Sequence, residues 1–91
     1  KKYRNAILAY TAGIKQRCPD PTINAVLFCN RATSNFYLGN YRSAVRDCVL
    51  SRKCKPDHLK AFVKAAECCM KLEKYDEVLT WCSAGLTVMI F

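Results

Sequence analysis

Apolar residues recur at intervals of three and four along most of this chain, the spacing of a helix that buries one face. Residues 3–16 put Tyr3, Ile7, Tyr10 and Ile14 on such a stripe. A second helix is expected over about 22–38, where Thr22, behind Pro21, is suited to cap the free amides of the first turn. Gly39 then supplies a C-terminal cap, and Asn40 is placed to cap a third helix over about 41–53. Pro56-Asp57 stops that helix, and Asp57 can cap a fourth over about 58–72. A fifth, over about 75–88, carries Val78, Leu79, Cys82 and Leu86 on one stripe. Strand-like alternation is absent and the connections are short. The pattern predicts an all-α fold of five antiparallel helices.

The helices repeat. Tyr41-Arg42-Ser43-Ala44 returns in outline as Tyr75-Asp76-Glu77-Val78, an offset of 34, and Tyr3-Arg4-Asn5-Ala6 opens the chain 38 residues before Tyr41. Ten residues after each tyrosine stands a small residue, Gly13, Ser51 or Gly85. The four extra residues of the first interval fit the Cys18-Pro19-Asp20-Pro21 turn, with its two ring-locked positions. A period near 34 signals helical hairpins that bury themselves only against their neighbours. Ala32, Ala44 and Ala66 lie where paired helices must cross closely, while the tyrosines and Phe36 fill the wider gaps.

Composition narrows the function classes. Ninety-one residues are the size of one small domain, so a multidomain enzyme is not expected. Half the chain is hydrophobic, with only three Gly and three Pro, so the composition is that of a globular protein. The net charge is +8, unevenly spread. Residues 1–64 hold thirteen basic and three acidic side chains, whereas residues 65–91 hold two and four, so one region of the surface favours an acidic partner. No apolar run approaches the roughly 18–20 residues a membrane helix needs, and Lys1-Lys2-Tyr3-Arg4 precedes no signal-like apolar segment. Seven cysteines form no C-x-x-C pair and His58 is the sole histidine, so no metal or cofactor is expected. With Trp81, the cysteines are expected as core, free thiols buried in a reducing compartment.

Three features carry a family resemblance. They are the period of 34, the Asn30-Arg31-Ala32 … Leu38-Gly39-Asn40-Tyr41-Arg42-Ser43-Ala44-Val45-Arg46-Asp47 run, and Pro56. Together they resemble a tetratricopeptide repeat. Asn24-Ala25-Val26-Leu27, Tyr37-Leu38-Gly39-Asn40, His58-Leu59-Lys60-Ala61 and the polar Asn35 further resemble the tetratricopeptide repeat protein 4 family, co-chaperones of heat shock protein 90. The resemblance implies a superhelix of hairpins in one domain over 1–91. Residues 1–18 would be the second helix of repeat 1, 22–56 repeat 2 and 57–91 repeat 3. The first helix of repeat 1 is expected to be missing, and self-association to cover the bare face.

The same resemblance implies a site. Chaperone-binding repeats hold the terminal carboxylates of an acidic peptide in a two-carboxylate clamp, and Asn30, Lys60 and Lys64 match its positions. Lys64 stands where the family usually has arginine, and an ammonium cannot make the planar two-pronged contact. Physically, Lys60 and Lys64 at i and i+4 share one helix face, and Asn30 adds an amide donor. Glu67 is three residues beyond Lys64 and is placed to pair with it. Thr33, Tyr37 and Val63, with Phe36 and Met70, fall on or near the same stripes and are expected to pack between repeats or line the groove. Taken alone, two lysines on a helix face are usually just solvated, and Asn30 alone could be a core amide bonding the backbone.

The expected partner is the EEVD-type tail of heat shock protein 90, with that of heat shock protein 70 second, in the cytoplasm and also the nucleus. The competing reading is a scaffold for another protein or a nucleic acid through Arg42, Arg46, Arg52, Lys53 and Lys55, although no aromatics interleave with them for base stacking. Catalysis is not expected. There is no Gly-rich phosphate loop, no G-x-S-x-G and no H-E-x-x-H, and His58 reads as a surface residue at a helix start, far from Cys68-Cys69.

Overall fold

A computed structural model describes residues 1–90. Its elements are α1 (Lys2–Lys15), α2 (Pro21–Tyr37), α3 (Tyr41–Cys54), α4 (Leu59–Lys71) and α5 (Tyr75–Ile90). Each helix packs on the next, α2 pairs with α3 and α4 with α5 as hairpins, and α2 also touches α4. The all-α, five-helix expectation holds. No helix among the described residues is long and apolar enough to cross a membrane.

The period of 34 is visible in the backbone. After α2, Gly39 N–H donates to Phe36 O (3.0 Å) and Asn40 N–H to Asn35 O (2.8 Å). After α4, Glu73 N–H donates to Met70 O (3.1 Å) and Lys74 N–H to Cys69 O (2.9 Å). Both are left-handed helix caps that satisfy the last carbonyls. Gly39 takes the required conformation at φ 81°, whereas Glu73 is forced into it at φ 57°.

Helix starts differ from the sequence expectation. Asp20, not Thr22, caps α2: its carboxylate accepts from the Thr22 N–H at 2.9 Å. Pro21 is the reason, because its fixed φ suits the first helical position and makes its predecessor the cap. Asn40 precedes α3 without a side-chain cap bond and instead donates weakly to Asn35 Oδ1 at 3.5 Å. Asp57 does not cap α4 either, since a turn closed by His58 N–H to Lys55 O moves the cap position to His58.

Small side chains set the core. Ala32, Ala44, Ala61, Ala65, Cys48 and Cys68 are wholly buried, and Phe62 meets Trp81 edge-on at 5.8 Å. The repeated small positions face a neighbouring helix in each case. A Cβ on Gly13 would press on Leu27, one on Gly85 would sit 3.4 Å from Phe62 Cβ, and Ser51 Oγ donates to Ala25 O at 2.7 Å. On α5 the buried stripe is Val78, Trp81, Gly85 and Val88. Leu79, Cys82 and Leu86 stand exposed, one residue round the helix, because Trp81 and Gly85 together fit against Phe62. Cys82 is therefore not core, and Cys18 and Cys54 are only half-buried, while Cys29, Cys48, Cys68 and Cys69 are buried. Burial pushes these four thiols up, Cys68 to about 11.

Candidate carboxylate-binding site

Helices α2 and α4 touch more lightly than the hairpin partners do, and Cys29 and Ala32 of α2 share one buried cluster with Ala61, Ala65 and Cys68 of α4. Their outward residues then face one another across a concavity of about 370 Å3. It is lined by Cys29, Asn30 and Thr33 from α2 and by Leu59, Lys60, Val63 and Lys64 from α4. Five of the seven residues singled out in the sequence therefore meet in one place. Tyr37 and Glu67 do not line it and stand at its margins.

The polar groups differ in how free they are. Asn30 and Lys60 are exposed. The Thr33 hydroxyl donates to Cys29 O at 3.1 Å, the usual back-bond of a helical threonine, and keeps its lone pairs. Lys64 is more constrained, with its side chain only 15% exposed. Its ammonium lies 4.6 Å from the Phe36 ring centroid and 5.6 Å from that of Tyr37, and 3.4 Å from the Glu67 carboxylate. Tyr37 in turn stacks on Tyr3 at 5.2 Å. An aromatic shelf thus fixes the position of Lys64 through ring quadrupoles, and Glu67 holds its charge from the far side. The fields of both lysines reach Cys29 at the floor. They pull its thiol down against a larger upward push from burial.

An anion entering here meets the Lys60 ammonium, which is in no ion pair among the described residues, the preoccupied Lys64 ammonium and the Asn30 amide, with Leu59 and Val63 as apolar walls. Val63 is 54% exposed and also borders a second, apolar groove of about 480 Å3 between α4 and α5, where Glu67, Met70 and Leu86 lie. The arrangement can bind a carboxylate. Its lining pairs no histidine with the Cys29 thiol: His58 lies outside the concavity, its pKa pushed down by burial and by Lys55 and Lys60. Among the described residues no group of His, Cys, Asp and Glu could hold a metal.

Sequence reasoning overlooked two contributors and one network. Cys29 and Leu59 line the site, and their signal was adjacency to Asn30 and Lys60 on the same helix turns. On the other side of α2, Arg31 makes a two-pronged pair with the buried Asp47 at 2.7 and 3.0 Å. Arg31 also donates to Thr11 Oγ1 at 3.2 Å, and the Asn35 amide donates to Asp47 Oδ2 at 3.1 Å. This network joins α1, α2 and α3 and locks the helix that carries Asn30. The buried Asn35 is a donor here, where an aromatic side chain would leave Asp47 with one bond fewer.

No protein-family model matches the chain. It is 47% identical over 88 residues to tetratricopeptide repeat protein 4 of Bos taurus, matching 97% of this chain and 23% of that protein. It is 34% identical over 77 residues to the Hsp70/Hsp90 co-chaperone cns1 of Schizosaccharomyces pombe, matching 85% of this chain and 22% of that protein. The chain thus spans less than a quarter of either relative. Among solved structures, the first TPR of Spaghetti bound to the HSP90 peptide SRMEEVD superposes with a TM-score of 0.83 at 31% identity. That match covers 96% of this chain and 68% of that one.

Proposed function

The chain belongs to the tetratricopeptide repeat family, and on that premise we propose that it is the docking module of a chaperone adaptor. It binds the acidic C-terminal tail of heat shock protein 90, and the similar tail of heat shock protein 70, through Asn30, Lys60 and Lys64. What carries the reading is one observation: these three side chains, from two helices, line a single concavity. A relative is named an Hsp70/Hsp90 co-chaperone, and a fold neighbour was solved with an HSP90 peptide.

In this reading Lys60 meets the main-chain carboxylate or the Asp side chain of the tail, and Asn30 donates to the same group. Each charge-assisted bond contributes roughly 1.5–3 kcal/mol. Lys64 supplies the second positive pole from its aromatic shelf. Thr33 and Val63 contact the tail's penultimate residues, with Tyr37 and Glu67 at the rim. The module is a single domain whose units are 1–18, 22–56 and 57–91. It acts in the cytoplasm and nucleus by binding, not by catalysis.

The test is a titration of the Met-Glu-Glu-Val-Asp free acid into wild type, Asn30→Ala and Lys60→Ala. Each variant should bind about tenfold or more weakly, the loss of one charge-assisted bond. Unchanged affinity in both variants would sink the assignment of the site.

A further inference from the structure

Most of the basic charge of the chain lies away from the α2–α4 site, which holds only Lys60 and Lys64. Helix α1 with its flanks carries Lys1, Lys2, Arg4, Lys15 and Arg17 and no acidic residue. Helix α3 with its flank carries Arg42, Arg46, Arg52, Lys53 and Lys55, and its one acidic residue is the buried Asp47. Among the described residues none of these ten cations is in an ion pair, since the three pairs use Arg31, Lys64 and Lys74. The excess positive charge is therefore uncompensated and concentrated on two helices.

Those two helices flank one trough. Both pack on α2, and between them lies a concavity of about 430 Å3. Ile7 and Thr11 form one wall, Ser43, Arg46 and Leu50 the other, and Arg31, Asn35 and Asp47 the floor. The floor is electrically closed, because Arg31 is spent on Asp47 and Thr11. The rim is not. Arg46 has only a 3.4 Å contact with Ser43 Oγ. Helical spacing sets Arg4 and Lys15 one turn either side of Ile7 and Thr11, and Lys53 one turn beyond Leu50. All four cations are exposed. The result is an apolar centre, Ile7 and Leu50, framed by Arg4, Lys15, Arg46 and Lys53. On α2, Arg31 and Asn35 face this trough while Asn30 and Thr33 face the carboxylate site, so the two concavities lie on different sides of one helix.

We propose that the α1–α3 trough is a second docking surface, for an acidic protein segment that also presents aliphatic side chains. The charge selects acidic residues on the segment, and Ile7 with Leu50 selects aliphatic ones between them. Nucleic acid fits less well. A phosphodiester backbone brings nothing to cover Ile7 and Leu50, and no aromatic residue lines the trough to stack a base. The surface would let one domain hold a chaperone tail on one side and an acidic partner on the other.

The probe is a fluorescein-labelled peptide of Leu and Glu in helical register, acetylated and amidated so that it offers no terminal carboxylate. Its binding to the chain is followed by anisotropy. Three results are expected. The Leu–Glu peptide binds, its Ser–Glu counterpart binds about tenfold more weakly, and reversing two rim charges with Arg46→Glu and Lys53→Glu also costs about tenfold. Circular dichroism verifies that this double variant is folded, and Leu50→Ser gives an independent second variant with the same direction. Excess Met-Glu-Glu-Val-Asp free acid does not displace the probe. Absence of Leu–Glu binding, equal binding of the Ser–Glu peptide, or equal binding of a duplex DNA would each overturn the proposal. So would displacement by the free acid. Because the probe has no terminal carboxylate and is challenged with the free acid, this result is read separately from that for the α2–α4 site.

Discussion

Removing the Asp47 carboxylate should unlock the three-helix frame that presents Asn30. Asp47 is 4% exposed and takes two bonds from Arg31 and one from Asn35. Asp47→Ala leaves the Asn35 amide buried without its acceptor and the Arg31 guanidinium without its counter-charge. Breaking a buried pair by deleting one partner costs roughly 3–5 kcal/mol. The Arg31 side chain is 20% exposed and can regain some water, so the lower end applies, about 3 kcal/mol. That is a large share of the roughly 5–10 kcal/mol expected for a domain of this size. With a urea slope of about 1–1.5 kcal/mol/M, the midpoint should fall by about 2–3 M. Swapping both partners, Arg31→Met with Asp47→Leu, removes the charges together and should recover most of the loss. Urea unfolding followed by far-ultraviolet circular dichroism reads both. A loss below about 1 kcal/mol for Asp47→Ala, or a double variant as damaged as the single, would refute the reasoning.

Four further outcomes follow from local features. Glu73→Gly should stabilise by about 1 kcal/mol in the same urea assay, because Glu73 holds a left-handed φ that Gly39 adopts freely, and Gly39→Ala should destabilise by a similar amount. Glu67→Gln releases Lys64 from its internal carboxylate and should tighten binding of an acidic C-terminal peptide about twofold, read by calorimetry. The buried thiols make stability fall with alkali. Their folded values lie above the ordinary 9.0, Cys68 at about 11, so the folded chain keeps protons that the unfolded chain releases. Stability is then complete below about pH 9 and declines as pH rises through 11, which urea midpoints across that range would show. A thiol-directed reagent should label Cys82 at once, and Cys48 and Cys68 only on unfolding.

Helices were legible because their apolar stripes are regular, and the repeat because its turns reuse one geometry 34 residues apart. The α2–α4 site was legible in part, since Lys60 and Lys64 share a face by spacing alone and the repeat register indicated where that face points. Contacts between helices were not. A charged Asp47 reads as solvated until its partner is known, and Arg31 is 16 residues away on another helix. The inward face of α5 was misread by one residue. Leu79, Cys82 and Leu86 form as good a stripe as Val78, Trp81 and Val88, and only the fit of Trp81 beside Gly85 onto Phe62 decides between them. The α2 cap was misplaced because Pro21 moves the cap role back to Asp20.

The claim that this domain reads a terminal carboxylate is tested most directly by paired calorimetric titrations. One uses the Met-Glu-Glu-Val-Asp peptide as the free acid, the other the same peptide as its C-terminal amide. The account predicts that the acid binds and the amide binds about tenfold to a hundredfold more weakly, the worth of one charge-assisted contact. Equal affinities for the two forms, fading together as salt is raised, would contradict it.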